Sequence, residues 1–256
     1  MRTVAIIQAR MLSTRLPQKV LADIAGQPLL AHVIARARRT QTLTETVIAT
    51  TLNPADNELA ALCDRLGVPY FRGSEDDVLD RYWRAAERFS ADVIVRLTAD
   101  CPLLDPRVID RVVRVFHGGE CDYVSNTLEC TYPDGLDTEV FSRAALERAW
   151  REAEWQSQRE HVTSYITDHP ELFRLSNVRH THDRSAWRWT VDEPEDLAFV
   201  RAVYEHCGPG PFGLAAVEKL LAAHPELAQI NQGFTRNEGY AKSLREDRRI
   251  ERSTTP

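Results

Sequence analysis

Short apolar runs alternate with amphipathic stretches of helix length, and this rhythm limits the chain to a parallel sheet covered by helices. The runs "TVAIIQA" (3–9), "TVIATT" (46–51), "VPYF" (68–71) and "DVIVRLTAD" (92–100) read as strands. Between them, "QPLLAHVIARARR" carries Leu30, Val33, Ile34 and Ala37 at helical spacing. Asn53 with Pro54 reads as a helix start, and Gly67 as its end. Ser74 and Asp77 form a capping-box pattern at the head of "SEDDVLDRYWRAAERF", and Asp105–Pro106 opens another helix.

After "CDYVSN" (121–126) the rhythm changes. Residues 127–186 are polar and read as an insertion, with helices at "SRAALERAWREA" and "REHVTSYITDH" and a short strand at "FRLSNV". "AWRWTV" (186–191) returns to strand pattern, followed by helices at 194–206 and 213–223. Residues 1–245 are expected to form one domain, and 246–256 a disordered polar tail.

Lys plus Arg number 32 and Asp plus Glu 38, a formal net charge of −6. This argues against a nucleic-acid-binding face or a polybasic membrane surface. No signal peptide or spanning segment is evident. The five cysteines include no C-x-x-C pair, so the expectation is a reduced, cytoplasmic protein without a disulfide framework.

Against that acidic background, the loop after the first strand gathers Arg10, Arg15 and Lys19 with no Gly-rich turn. A second signal is an echo: "RLTADCP" (96–102) and "RWTVDEP" (188–194) share R-x-T-x-D followed by x-P. On a strand, Arg96, Thr98 and Asp100 would share one face, as would Arg188, Thr190 and Asp192. Ligands of open parallel sheets sit beyond the carboxyl ends of the strands, where both aspartates would lie. Two bare carboxylates about 4 Å apart repel by roughly 4 kcal/mol at an effective dielectric near 20. A divalent cation relieves this, and Mg²⁺ favours one or two carboxylates with phosphate oxygens. The loop cations would then hold the rest of a polyphosphate.

The blocks "IIQARMLSTRLPQKVL", "GSEDDVLDRY", "RLTADCPLLD", "YPDGLDTEVF", "REHVTSYI", "RWTVDEPEDL" and "NEGYAKSL" occur in this order. Together they resemble the spore-coat-polysaccharide type of cytidylyltransferase, related to the acylneuraminate and 3-deoxy-manno-octulosonate cytidylyltransferases. The resemblance spans about residue 3 to residue 245. It implies a three-layer α/β/α nucleotidyltransferase fold, Rossmann-like and glycosyltransferase-A-like, with a mostly parallel sheet. It also implies Mg²⁺ and transfer of CMP from CTP with release of pyrophosphate. By position, Ala9, Arg10, Ser13, Arg15 and Lys19 match the triphosphate loop, Thr98 lies beside it, and Asp100 and Asp192 match the metal-binding aspartates. Arg72, Asp77 and Arg81 fall in the block near base and ribose. One departure is Leu12, where the family loop usually has Gly.

For the acceptor, Asn126, Asp134, Gly135, Asp137 and Glu139 surround the loop where the sheet gives way to the insertion, and His161 is a candidate base or acceptor contact. Asp134 and Asp137 read equally as turn residues. His180, His182 and Asp183 read as a polar edge, Trp187 and Trp189 as core, and Cys101 as an unactivated thiol. The acceptor expected is an acidic sugar or phosphorylated metabolite. Use of another triphosphate such as GTP remains an alternative. A metal-dependent glycosyltransferase is another, although no D-x-D occurs. In the relatives the region matching 127–186 helps form a homodimer, and the amphipathic stretch 142–154 suits that role as well as burial within one chain.

Overall fold

In the computed structural model, residues 1–250 other than Thr14, Pro209, Thr235 and Asn237 are described. Seven strands form one sheet in the order β5-β4-β1-β6-β8-β7-β9. These are β1 (Thr3–Gln8), β4 (Glu45–Thr51), β5 (Tyr70–Gly73), β6 (Val93–Thr98), β7 (Tyr123–Ser125), β8 (Glu139–Ser142) and β9 (Leu175–Asn177). A two-residue hairpin pairs β2 (Asp23–Ile24) with β3 (Gln27–Pro28). Pairings β5-β4, β4-β1, β1-β6 and β7-β9 are parallel, while β8 runs antiparallel to both of its neighbours.

Period-two alternation divides the core between the two faces of the sheet. Ala5 and Ile7 of β1 join one apolar cluster with α1 (Leu29–Ala37), α2 (Asn57–Arg65), α4 (Pro106–Gly118), α8 (Pro194–Cys207) and α9 (Leu214–Ala223). Val4 and Ile6 join the other, with α3 (Val78–Arg88), α5 (Arg143–Glu152) and α7 (Ser164–Asp168). This is the three-layer α/β/α arrangement expected. Among the described residues no helix is long and apolar enough to cross a membrane. Ala145, Leu146 and Ala149 of α5 are buried in the chain's own core, and Trp150 packs against the same cluster while staying partly exposed.

Four local readings are corrected. First, 186–191 is not a sheet strand. The edge of β6 is taken by β8, in register from Val93↔Ser142 to Arg96↔Glu139. The 187–191 segment instead bonds loop backbone: Asp134 N–H donates to Trp187 O, Trp189 N–H to Asp134 O, and Val191 N–H to Asp100 O at 2.8 Å. Trp189 is still buried core, as its alternation implied. Second, "REHVTSYITDH" is no continuous helix. Val162 has φ +60° and separates α6 (Gln156–Glu160) from α7. Third, the cap of α3 is Asp77 itself, which accepts from Asp80 N–H at 2.8 Å, while Ser74 Oγ accepts from Asp77 N–H. Fourth, residues 246–250 are ordered against α6, with Asp247 on Ser157 and Ile250 N–H donating to Glu154 O. The disorder expected for 251–256 lies outside the described residues.

Residues 127–186 do not stand apart from the sheet, since they supply β8 and β9 to it. Glu139 of β8 explains much of that join. Its carboxylate takes Arg96 Nη1 and the hydroxyls of Tyr123 and Thr163, the latter two at 2.6 Å. Glu139→Ala would strand a buried guanidinium. Unfolding in urea is expected to show a loss of about 3–5 kcal/mol, where a purely acceptor-binding Glu139 would leave stability unchanged.

Candidate active site

The loop from β1 to the 3₁₀ turn Lys19–Leu21 is closed on itself by Gln18 N–H donating to Met11 O at 3.0 Å. Buried Asp56 pins its base, accepting from Met11 N–H at 2.7 Å and from Thr51. Gln18 takes a left-handed conformation, φ 60°, that turns Lys19 back toward the sheet. Leu12 does not need the conformation a glycine would allow, since its φ is not positive, and its side chain is 51 % exposed at the mouth of the cleft.

Lys19 is the point where the two echoed segments meet. Its ammonium donates to Asp100 Oδ2 at 2.8 Å, Asp192 Oδ1 at 2.7 Å and Val191 O at 2.9 Å. The two aspartates therefore converge as expected, although only Asp100 is delivered by a strand. Burial alone would lower the Lys19 pKa, but Asp100 and Asp192 outweigh it and raise the value. For Asp100, burial pushes up, but Lys19 together with hydrogen bonds from Thr98 and the backbone pulls down further, holding the carboxyl at about 2.

A second layer of charge surrounds this pair. Arg15 reaches Asp192 and Glu193, each at 3.0 Å. Arg188 joins Asp192, Asp134 and the fully buried Asp196, and its side chain is only 9 % exposed. Asp196 also accepts from the Asp192 and Glu193 N–H groups and from Asn231. Sequence reasoning missed Asp56, Asp196 and Asn231 as supports. Asp196 stands in the "DEPED" run at 192–196, and the other two carry no local signal.

The cleft beyond these groups has a volume of about 1090 Å³. Ala9, Arg10, Ser13, Arg15, Lys19, Arg81, Thr98, Asp100, Asp192 and His161 all line it. Arg81 is lowered in pKa first by burial and then by the neighbouring Arg10 charge, so two cations face a space that an anion would relieve. His161 Nε2 lies 2.9 Å from Ser243 Oγ, with Tyr240 edge-on to its ring, and burial lowers its pKa.

Other expected residues stand elsewhere. Arg72 does not line the cleft; it bonds Thr51 O, Asn53 O and Asn57 and so fixes the turn after β4. Asp77, also off the cleft wall, is clamped by Arg159. Of the expected acceptor set, only His161 faces the cleft. Asn126 closes its own loop through Leu136 O and Thr138 N–H. Gly135, at φ +104°, lies where a Cβ would come within 2.6 Å of the Trp189–Thr190 backbone. Asp137 pairs with Arg236 and Glu139 with Arg96. Cys101 is buried, which pushes its thiol well up and leaves it unactivated.

Asp100 and Asp192 suit a hard divalent cation. They are carboxylates gathered on one point at the end of the sheet, and among the described residues no third His, Cys, Asp or Glu completes a cluster with them. Two carboxylates with open positions left for water and phosphate match Mg²⁺ or Mn²⁺ better than a closed, zinc-like nest.

Two outcomes follow from this network. Arg188→Met would leave Asp196 buried without its cation, and urea unfolding is expected to show a loss of about 3–5 kcal/mol; an unchanged midpoint would refute the support role. The second concerns acid. Burial opposes ionisation of Asp100, Asp196 and Glu139, but Lys19, Arg188 and Arg96 respectively, together with the hydrogen bonds each carboxylate accepts, outweigh it and lower each value. A depressed carboxyl stabilises fully above its unfolded value near ~4 and loses that contribution as pH falls to the folded value. Stability should therefore decline steadily from about pH 4 toward pH 2, and a flat profile there would contradict these pairings.

The family model described as Cytidylyltransferase matches residues 4–220. Spore coat polysaccharide biosynthesis protein SpsF of Bacillus subtilis is 35 % identical over 233 residues, covering 87 % of this chain and 95 % of that protein. Uncharacterized protein MJ1063 of Methanocaldococcus jannaschii is 36 % identical over 233 residues, covering 90 % and 95 %. A solved cytidylyltransferase structure from Leptospira borgpetersenii superposes with a TM-score of 0.87 at 28 % identity, covering 92 % of this chain and all of that one. A cationic loop lining the cleft, two convergent aspartates and these matches lead to one conclusion: the chain belongs to the cytidylyltransferase family.

Proposed function

We propose that the protein transfers CMP from CTP to an oxygen of an acidic or phosphorylated acceptor, such as a sugar acid, and releases pyrophosphate with the help of Mg²⁺. The observation that carries this reading is the meeting of Asp100, Asp192 and Lys19 beside a loop bearing Arg10 and Arg15. The acceptor oxygen attacks the α-phosphorus, the bond to the β-phosphate oxygen breaks, and pyrophosphate departs in line.

In such a transfer the protein mainly positions groups and stabilises charge. Arg10 and Arg81 line the cleft as neighbouring cations suited to the triphosphate. Arg15 is anchored to Asp192 and Glu193, so its guanidinium is held beside the reacting region. Asp100 and Asp192 would hold Mg²⁺, which supplies charge neutralisation at the phosphates when bound. Arg188 and Asp196 fix Asp192 from behind. His161, whose pKa is lowered by burial, faces the same cleft and is assigned to the acceptor side, where it can exchange a hydrogen bond with the incoming hydroxyl.

The test is calorimetry with CTP, GTP, ATP and UTP, with and without Mg²⁺, on wild type and Asp100→Ala. The expected result is Mg²⁺-dependent CTP binding that weakens about tenfold or more in the variant, a loss of roughly 1.4 kcal/mol. A preference for GTP would move the assignment to another nucleotidyl transfer. Binding indifferent to both Mg²⁺ and Asp100 would overturn the metal-assisted reading.

A further inference from the structure

Lys19 is an unusual choice of cation for this chain. The sequence contains 29 arginines and only three lysines, at 19, 219 and 242. Lys219 and Lys242 are exposed, whereas the Lys19 side chain is 11 % exposed. A guanidinium is a planar fork, whereas an ammonium is a compact point charge with three donors. All three donors are used: two on the carboxylates of Asp100 and Asp192, one on the Val191 carbonyl. The ammonium therefore sits at the point on which both carboxylates converge, with no N–H left for a phosphate.

These facts conflict with a simple division of labour in which Lys19 holds phosphate while the aspartates stand ready for a divalent ion. The ammonium and a divalent cation carry like charge and would compete for the same two carboxylates. Lys19 can turn to an incoming polyphosphate only by leaving at least one of its three acceptors. Val191 and Asp192 belong to a segment tied down by Val191 N–H on Asp100 O and by Asp196, and the Asp192 carboxylate is further held by Arg15 and Arg188, so the four-carbon lysine stem is the part with rotatable bonds to spare.

We propose that Lys19 is the resident counter-cation of the free site: it occupies the place of the divalent cation and keeps the site closed to it until a polyphosphate draws the ammonium away. The inference rests on the two-aspartate metal reading above and adds that metal and nucleotide binding are strongly coupled through one side chain. Coupling of this kind is reciprocal, so the nucleotide raises metal affinity by the same factor as the metal raises nucleotide affinity. The two carboxylates are thereby never left facing each other without a cation.

The test uses Mn²⁺ as the probe, with its binding to the full chain followed by electron paramagnetic resonance in the absence of nucleotide. Wild type should bind weakly, and Lys19→Met and Lys19→Gln about tenfold or more tightly, within the ordinary range of site-to-site coupling. A second measurement needs no variant. With three lysines, ¹⁵N-lysine labelling resolves each side-chain ammonium; the Lys19 signal should be unmoved by Mg²⁺ alone and shift when CTP is added with it. If wild type binds Mn²⁺ as tightly as both variants, or Mg²⁺ alone shifts the Lys19 signal, the placeholder role is overturned and the transferase reading stands. If no form binds Mn²⁺ with or without CTP, the two-aspartate metal site itself fails, and this inference with it.

Discussion

The site depends on one ammonium held between two carboxylates. Lys19 comes from the loop after β1, Asp100 from the end of β6, and Asp192 from a segment that belongs to no sheet strand. These three pieces are distant in sequence, and each has polar groups that would be costly to bury alone. Their union is favourable because each charge is met by a partner of opposite sign, the third ammonium donor is taken by Val191 O, and the other oxygen of Asp192 accepts from Arg15 and Arg188. Removing any one member leaves the others exposed to like-charge repulsion or to burial without a partner.

The second feature is the layering of support behind the groups that face the cleft. Asp56 fixes the loop backbone at Met11, and Asp196 fixes both Arg188 and the backbone at Asp192. Glu139, Asn126 and Gly135 belong to this supporting class too. They join β8 to β6, close the 126–138 loop and let that loop lie flat against Trp189. Polar residues clustered in sequence near a site can thus be its scaffold rather than its lining. The sorting criterion is what their lone pairs already accept.

Much of the frame was legible in the chain. The strands at 3–8, 45–51 and 93–98 and the helices opened by Asp105–Pro106 and Ser142 emerge where the patterns place them, because those signals are local. Ten of the expected cleft residues line one cavity. Two kinds of reading did not survive. "RWTVDEP" copies the pattern of a strand, yet β8 already fills the neighbouring edge, and edge occupancy is a property of the whole sheet. Arg72 and Asp77 lie close in sequence to Arg81, but their bonds to Asn57 and Arg159 turn them into fasteners of α2 and α6.

By itself, the sequence determined the alternation of strands and helices, the apolar partition of β1 between two faces, and the supply of two aspartates and a cationic loop. These follow from periodicity and residue chemistry, which act over a few neighbouring positions. The tertiary structure alone decided that Lys19 stands between the two aspartates, that 186–191 lies outside the sheet, and that residues 238–250 come to rest on the cleft beside His161. Each of those outcomes depends on charges and backbone donors meeting across more than eighty residues of chain, and no local pattern records which of the available partners will be nearest.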